Sequence, residues 1–137
     1  MAAHRWPIRV YFEDTDAGGI VYHANYLRWA ERARTESLRA MNLPNQAMIE
    51  RHASLLVVRR IEVEYAAPAR LDESLFVETR VLAVRGASLD LEQRVVDAES
   101  GAVRAVLTVG LVCVRVEGMR PAPLPEPWRS RLRDEMN

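Results

Sequence analysis

The 137-residue chain contains no lysine, so all 19 of its fixed cations are arginines. Any anion site must therefore be made of guanidinium forks or backbone amides. Nineteen acidic residues bring the formal net charge to zero, which gives no whole-molecule steering toward nucleic acid or an anionic membrane. Cysteine occurs once, at Cys113. That excludes an internal disulfide and a cysteine-based zinc site, and it suits a reducing, cytoplasmic compartment. The histidines, His4, His23 and His52, are scattered and form no metal-ligand spacing. No apolar run approaches a membrane span, and the opening MAAHRWPIRV lacks the apolar stretch of a signal peptide. A GxSxG elbow, a Walker loop, a dinucleotide fingerprint and an HExxH pair are all missing.

What is present is a chain of one-domain length, 49% hydrophobic and 28% charged, enough to bury a core. Residues 8–12 (IRVYF) are rich in β-formers and predict a first strand. Residues 13–19 carry the Asp and Gly of a turn. A helix is expected over about 25–41, with Asn25 as its cap or in its first turn, ending before Pro44. On a helical wheel Tyr26, Leu27, Trp29, Ala30, Ala33, Ser37, Leu38 and Met41 share one broad arc, and Arg28, Arg32, Thr35 and Arg39 lie opposite. The small residues at the centre of the arc invite another backbone to come close.

The remainder alternates with period two. Leu55, Val57, Ile61, Val63 and Tyr65 predict one face of a strand that ends before Pro68. Strands follow over 75–84 and 89–96, separated by Arg85-Gly86-Ala87. After Glu99-Ser100-Gly101 comes 103–116, apolar on both faces, which predicts a central or interface strand. The expected architecture is α+β: a five-stranded antiparallel sheet, its last four strands a meander, wrapped around one long central helix, the hotdog arrangement. One domain covers 1–137, with the core at about 8–116 and an extended tail at about 117–137 that adds at most a short helix. Edge strands and the apolar last strand point to a homodimer or homotetramer.

The segment DTDAGGIVYHANYLRWAERARTESLR at 14–39 resembles the signature of YbgC-type acyl-CoA thioesterases, within the broad 4-hydroxybenzoyl-CoA thioesterase family. VEYAAPARLDE at 63–73, VRGASL at 84–89 and VGLVCV at 109–114 add weaker matches. The resemblance implies a hotdog dimer or dimer of dimers that hydrolyses acyl-CoA with no metal or other cofactor. It assigns catalysis to Asp16, the aspartate before the Ala-Gly turn, and an oxyanion-binding amide to His23. From spacing alone Asp16 reads as a turn-capping aspartate.

These residue types suit thioester chemistry. A thioester has a good leaving group and needs a base or nucleophile and a home for its oxyanion. Asp16 can activate water or attack directly; sequence leaves both routes open. Unpaired amides at the helix start can hold the oxyanion. Gly18 and Gly19 permit the tight turn, and Gly19, Tyr22 and His23 are the candidate substrate pocket. The His23 side chain, which the resemblance marks as catalytic, could orient water or substrate near the acyl carbonyl, or merely pack at the helix entry, and Tyr22 reads as pocket lining or as core. Asp14 reads as structural support. Arg34 falls inside the apolar arc, so it should be paired, with Asp14 or Glu31 as expected partner. Arg59, Arg60, Arg85 and Ser88 are candidate contacts for the CoA phosphates, since arginine forks onto phosphate oxygens; each also reads as ordinary surface. Arg59 interrupts the alternation of its strand. Cys113 sits in an apolar strand and reads as core. The partners expected are acyl-CoA and, as an alternative, acyl carrier protein. A non-catalytic hotdog module that binds acyl groups or proteins is the reading from a different class.

Overall fold

Pro7 lacks an N–H and can sit only where a strand's donor is not needed, at a sheet edge. The computed structural model describes residues 3–136 and places it there. Strand β1 is His4–Arg9, not the expected 8–12, and it pairs with a single neighbour, β3 (Ser74–Arg85), with Pro7 opposite Phe76. The β-formers Val10–Phe12 lead instead into a 3-10 turn at Phe12–Asp14.

Helix α1 spans Asn25–Ala40. Its buried arc is the one that the wheel draws: Tyr26, Trp29, Ala30, Ala33, Ser37 and Leu38, with Ala30 and Ala33 fully covered. Facing it are the inward positions Leu75 and Val77 of β3, Leu89, Leu91 and Val95 of β4 (Ser88–Asp97), and Ala105, Leu107, Val109 and Leu111 of β5 (Val103–Arg115). Each fully buried aliphatic side chain contributes about 1.5–3 kcal/mol, so this one contact surface dominates the fold's stability. β5 is central, as its two apolar faces predict.

Strand order departs from the expected meander. It is β1-β3-β4-β5-β2, all antiparallel, so β2 (Ser54–Tyr65) pairs with β5 and not with β3. Residues 66–73 therefore cross from one side of the sheet to the other, around the start of α1. The face of β2 is corrected too. The register slips between Val58 and Arg60, and Leu56 and Val58 lie opposite Cys113 and Leu111, whereas Ile61 and Val63 lie opposite Val109 and Leu107. Leu55 and Val57 thus point away from the face that carries Ile61 and Val63. One extra residue in a strand reverses its parity, and Arg59 is that residue.

One further helix was not expected, and the short helix expected in the tail is present. Helix α2, Asn45–His52, follows Pro44 and buries Met48. The tail is not an extension beyond the core. It returns along the end of β5 through the Val114–Pro121 bridge and ends in α3, Trp128–Asp134. Leu124 and Trp128 are fully buried, and the Trp128 indole N–H donates to the carbonyl of Leu43 at 3.1 Å. His52 is half-buried against the Trp128 ring at 5.5 Å, and His4 is half-buried in β1.

Candidate active site

The loop from β1 to α1 is held by Asp14. Its two carboxylate oxygens accept from the Tyr11 amide at 2.8 Å and from the Asn25 side-chain amide at 2.7 Å, and its carbonyl accepts from the Tyr22 amide at 2.8 Å. Asp14 therefore joins both ends of the loop to the first residue of α1. Asn25 is not a cap: it is buried and spends its side chain on Asp14.

Between these ends the chain makes a small hairpin. Thr15 and Val21 form a bridge, and the Asp16 amide donates to Ile20 O at 2.9 Å. Asp16 Oδ1 accepts from the Gly18 amide at 2.8 Å, an Asx turn, leaving Oδ2 without a protein donor among the described residues. Gly19 has φ +80°, which an L side chain rarely adopts, and a Cβ on Gly18 would lie 3.1 Å from Asp16 Oδ1. The turn thus needs both glycines, one for backbone and one for space. In the single chain Asp16 is exposed and lines none of the larger cavities.

The start of α1 carries the complementary feature. Its N-cap is Ala24, which has no side-chain oxygen to give. Among the described residues the amides of His23 and Ala24 find no acceptor. They sit at the positive end of a sixteen-residue helix. The His23 ring is exposed and packs on the Tyr22 ring at 4.5 Å. Tyr22 is 45% exposed, so it is not core. Beside them lies an apolar groove lined by Ile20, Val21, His23, Tyr26, Tyr65 and Pro68, with a volume of about 290 Å3.

Sequence reasoning missed two residues of this region. The Tyr65 hydroxyl donates to the carbonyl of His23 at 2.9 Å, and the Tyr26 hydroxyl accepts from the Ala69 amide at 3.1 Å. Burial pushes both phenols above their ordinary value, so both stay neutral donors and acceptors. Tyr65 closes the motif VEY that precedes the 66–73 crossover, and that motif was the signal available. Arg104 supports the crossover from behind: it pairs with Glu73 at 3.0 Å, and its carbonyl accepts from Ala66 and Ala67.

The expected partner of Arg34 is corrected. Arg34 is buried, but neither Asp14 nor Glu31 comes within ion-pair distance of it. Its Nη1 donates to Gln93 Oε1 at 3.0 Å. Gln93, itself fully buried, donates to Ala30 O and Thr79 Oγ1. Asp14 is already saturated by the loop, and Glu31 points to solvent. Burial pulls the Arg34 guanidinium below its ordinary value, and the nearby charge of Glu31 opposes this.

The candidate phosphate contacts do not gather around Asp16 in one chain. Arg60 lies outward on β2 beside Glu62, and Arg59 is the exposed bulge residue. Arg85 pairs with Asp90 at 2.6 Å, and Ser88 opens β4. The Asp16 hairpin is tied to residues 69 and 70, near the start of β3. Arg85 and Ser88 lie at the other end of that twelve-residue strand, roughly 35 Å away at about 3.3 Å per residue. Cys113 is buried in the core, where desolvation pushes its thiol up.

A carboxylate on a tight glycine turn, unpaired helix-start amides and an adjacent apolar groove now stand within one short segment. The model of the thioesterase-like superfamily matches residues 10–132. The chain belongs to that superfamily. Among its thioesterase relatives, the acyl-CoA thioester hydrolase YbgC of Escherichia coli O157:H7 is 48% identical over 122 residues, covering 89% of this chain and 90% of that one. The acyl-CoA thioesterase YbgC of Haemophilus influenzae is 43% identical over 121 residues, covering 88% of each. A probable thioesterase from Bartonella henselae superposes with a TM-score of 0.84 at 34% identity, over 90% of this chain and 100% of that one. A 1,4-dihydroxy-2-naphthoyl-CoA thioesterase from Synechocystis superposes with a TM-score of 0.89 at 25% identity, over 96% of each chain. The matched residues 10–132 thus cover α1, α2, strands β2 to β5 and most of α3, and begin just after β1.

Proposed function

We propose that this chain is an acyl-CoA thioester hydrolase in which Asp16 supplies the base or nucleophile and the His23 amide at the start of α1 binds the oxyanion. The observation that carries the reading is the pairing of a carboxylate with one free oxygen and helix-start amides without acceptors, on two sides of one hairpin. The thioester carbonyl sits against the His23 and Ala24 amides. Asp16 then either draws a proton from water as it attacks, or attacks to form an anhydride that water opens. In both routes the carbonyl carbon gains an oxygen, the carbon–sulfur bond breaks, and CoA leaves as thiol. One oxyanion donor is typically worth about 3–4 kcal/mol of barrier. Tyr65 fixes the His23 peptide from the carbonyl side, Gly19 makes the turn, the His23 ring walls the apolar groove, and Tyr22 packs on that ring. Asp14 is the structural anchor of the loop. The step uses groups of this chain and water, with no cofactor assigned. A CoA substrate and a lone cysteine fit a cytoplasmic enzyme. Among the described residues no helix is long and apolar enough to cross a membrane.

The reading also assigns a second copy. Two strands end the sheet. β1 has six residues and Pro7; β2 has twelve and leaves Val58 and Tyr65 each 47% exposed. A long, unpaired edge with apolar side chains is a template for another strand. Antiparallel pairing of two β2 strands about a two-fold axis sets the Tyr65 end of one beside the Ser54 end of the other. That carries the partner's Arg59 and the partner's Arg60 toward the middle of the joint. It also brings the turn of the partner's Arg85 and the partner's Ser88 toward the opening of α1, which is how distant arginines serve a CoA phosphate. A homodimer is the smallest assembly that satisfies this, and a homotetramer doubles it.

The test is a hydrolysis screen over short, long and aromatic acyl-CoA, following release of CoA thiol, with Asp16→Asn and Asp16→Ala as controls. Wild-type turnover and a loss of at least about 100-fold in both variants are expected. Unchanged turnover in Asp16→Asn would remove the aspartate from the chemistry. Poor hydrolysis of every CoA ester, with rapid hydrolysis of acyl carrier protein esters, would reassign the substrate.

A further inference from the structure

The second half of α1 borders a cavity of about 290 Å3 that the proposed chemistry does not use. It lies between α1, the inner face of the sheet and α3. Its walls are largely apolar, among them Leu38, Leu89, Leu91 and Leu132. At about 30 Å3 per small group it holds roughly ten non-hydrogen atoms. A second opening, beside Val57 and Val58 on the β2 edge, shares Arg34, Leu38, Leu56 and Leu111 with it. Arg34 therefore stands where an entrance at the sheet edge meets the interior.

The state of Arg34 is unusual. Its side chain is about nine-tenths buried, yet no carboxylate lies within 4 Å of it among the described residues. One Nη1–H is taken by a neutral amide oxygen, that of Gln93. A guanidinium carries five donors, and a buried charge is ordinarily paired. Its position is fixed: Gln93 is itself anchored to Ala30 O and Thr79 Oγ1. The same cavity contains a second incomplete group, His4 Nδ1, which is buried and has no hydrogen-bond partner. Its other charged walls are Arg80 and Arg131 against the single carboxylate of Glu135. The site is thus a preformed, largely apolar pocket with a pinned cation that no carboxylate contacts, Glu31 acting on it only from beyond ion-pair distance and Arg80 paired with Glu92 at 3.7 Å; it suits an anion at the end of an apolar stem.

We propose that this cavity takes the far end of the acyl group and that Arg34 binds a carboxylate there, so that the preferred substrates are CoA monothioesters of dicarboxylic acids about six carbons long. This rests on the hydrolase reading and on the paired β2 edges, which bring the entrance beside Val57 and Val58 close to the helix start of the partner subunit. Arg34 acts in binding, away from the scissile bond, so the preference appears in KM.

The experiment compares adipoyl-CoA with hexanoyl-CoA, two esters of equal carbon count. Wild type is expected to favour adipoyl-CoA by at least about tenfold in kcat/KM, with similar kcat for both. Arg34→Gln should abolish the preference, read as the ratio of kcat/KM for the two esters in one preparation, and Arg34→Lys should restore part of it. Free adipate should raise the melting temperature of wild type more than hexanoate does, a reading that needs no variant to fold. Hydrolysis of both esters with equal kcat/KM, or equal thermal shifts with the two acids, overturns the assignment of Arg34 and leaves the hydrolase reading standing. Turnover of neither ester, and of none in the wider screen, removes the hydrolase reading and this one with it.

Discussion

The two ends of helix α1 are opposites. At the first turn the cap is an alanine, two amides find no acceptor, and Tyr22, His23 and Asp16 are exposed. Beyond the last turn the chain is closed over: Leu43 accepts from the buried Trp128 indole, and Leu124, Trp128 and Leu132 cover the core. Each end leaves four orphan backbone groups by the geometry of a helix, N–H at the start and C=O at the end. One end satisfies its neighbourhood with its own tail. The other leaves it for something that arrives. Stability should therefore reside at the closed end and turnover at the open one, and substitutions at each should move one quantity without the other.

The largest effect is expected at the closed end. Trp128→Ala removes a fully buried indole and its hydrogen bond, and should cost about 3–5 kcal/mol in a denaturant titration. Catalysis by the fraction still folded should be near wild type; a large loss of turnover per folded molecule would break the comparison. Next comes Asp16→Asn, at about 100-fold in kcat, or about 2.7 kcal/mol of barrier, with the melting temperature almost unmoved because the side chain is exposed. Tyr65→Phe sharpens the contrast. It removes one hydrogen bond to the His23 carbonyl, worth about 1 kcal/mol, and should slow turnover several-fold through looser placement of the same peptide. Gly19→Ala should cost about 1 kcal/mol of stability from placing a Cβ at φ +80° in otherwise open space. Its reduced turnover should follow from the shifted Asp16 turn, measured as a fall in kcat at unchanged KM.

Much of this was legible because burial follows period. The arc of α1 and the alternation of β3 and β4 appear in the sequence because each position faces one environment throughout. What failed has nonlocal causes. The crossover at 66–73 places β2 at an edge, and nothing in the alternation of β2 says which strand will be its neighbour. Helix α2 has eight residues and one fully buried apolar side chain, too short a pattern to stand out after Pro44. The wheel shows that Arg34 is inside and needs a partner, but Gln93 is 59 positions away, on a strand whose place the wheel cannot supply. Pro7 displaced the first strand toward the N-terminus, a shift explained only once β1 is known to be an edge.

At the candidate site the loop chemistry was readable and the enclosure was not. Asp14, Asp16 and the glycines lie within six residues, so local geometry governs them. Arg85 and Ser88 lie a strand's length from Asp16, and that distance is a property of the sheet that no local motif encodes.

The extra residue at Arg59 has one further consequence. Because it inverts parity halfway along the exposed margin of β2, a foreign extended peptide laid there matches the pleat on one side of the kink and clashes with it on the other. A segment carrying the same irregularity in mirror order suffers no such mismatch. The defect therefore interrupts the flat template along that margin and discourages promiscuous fibre-like stacking.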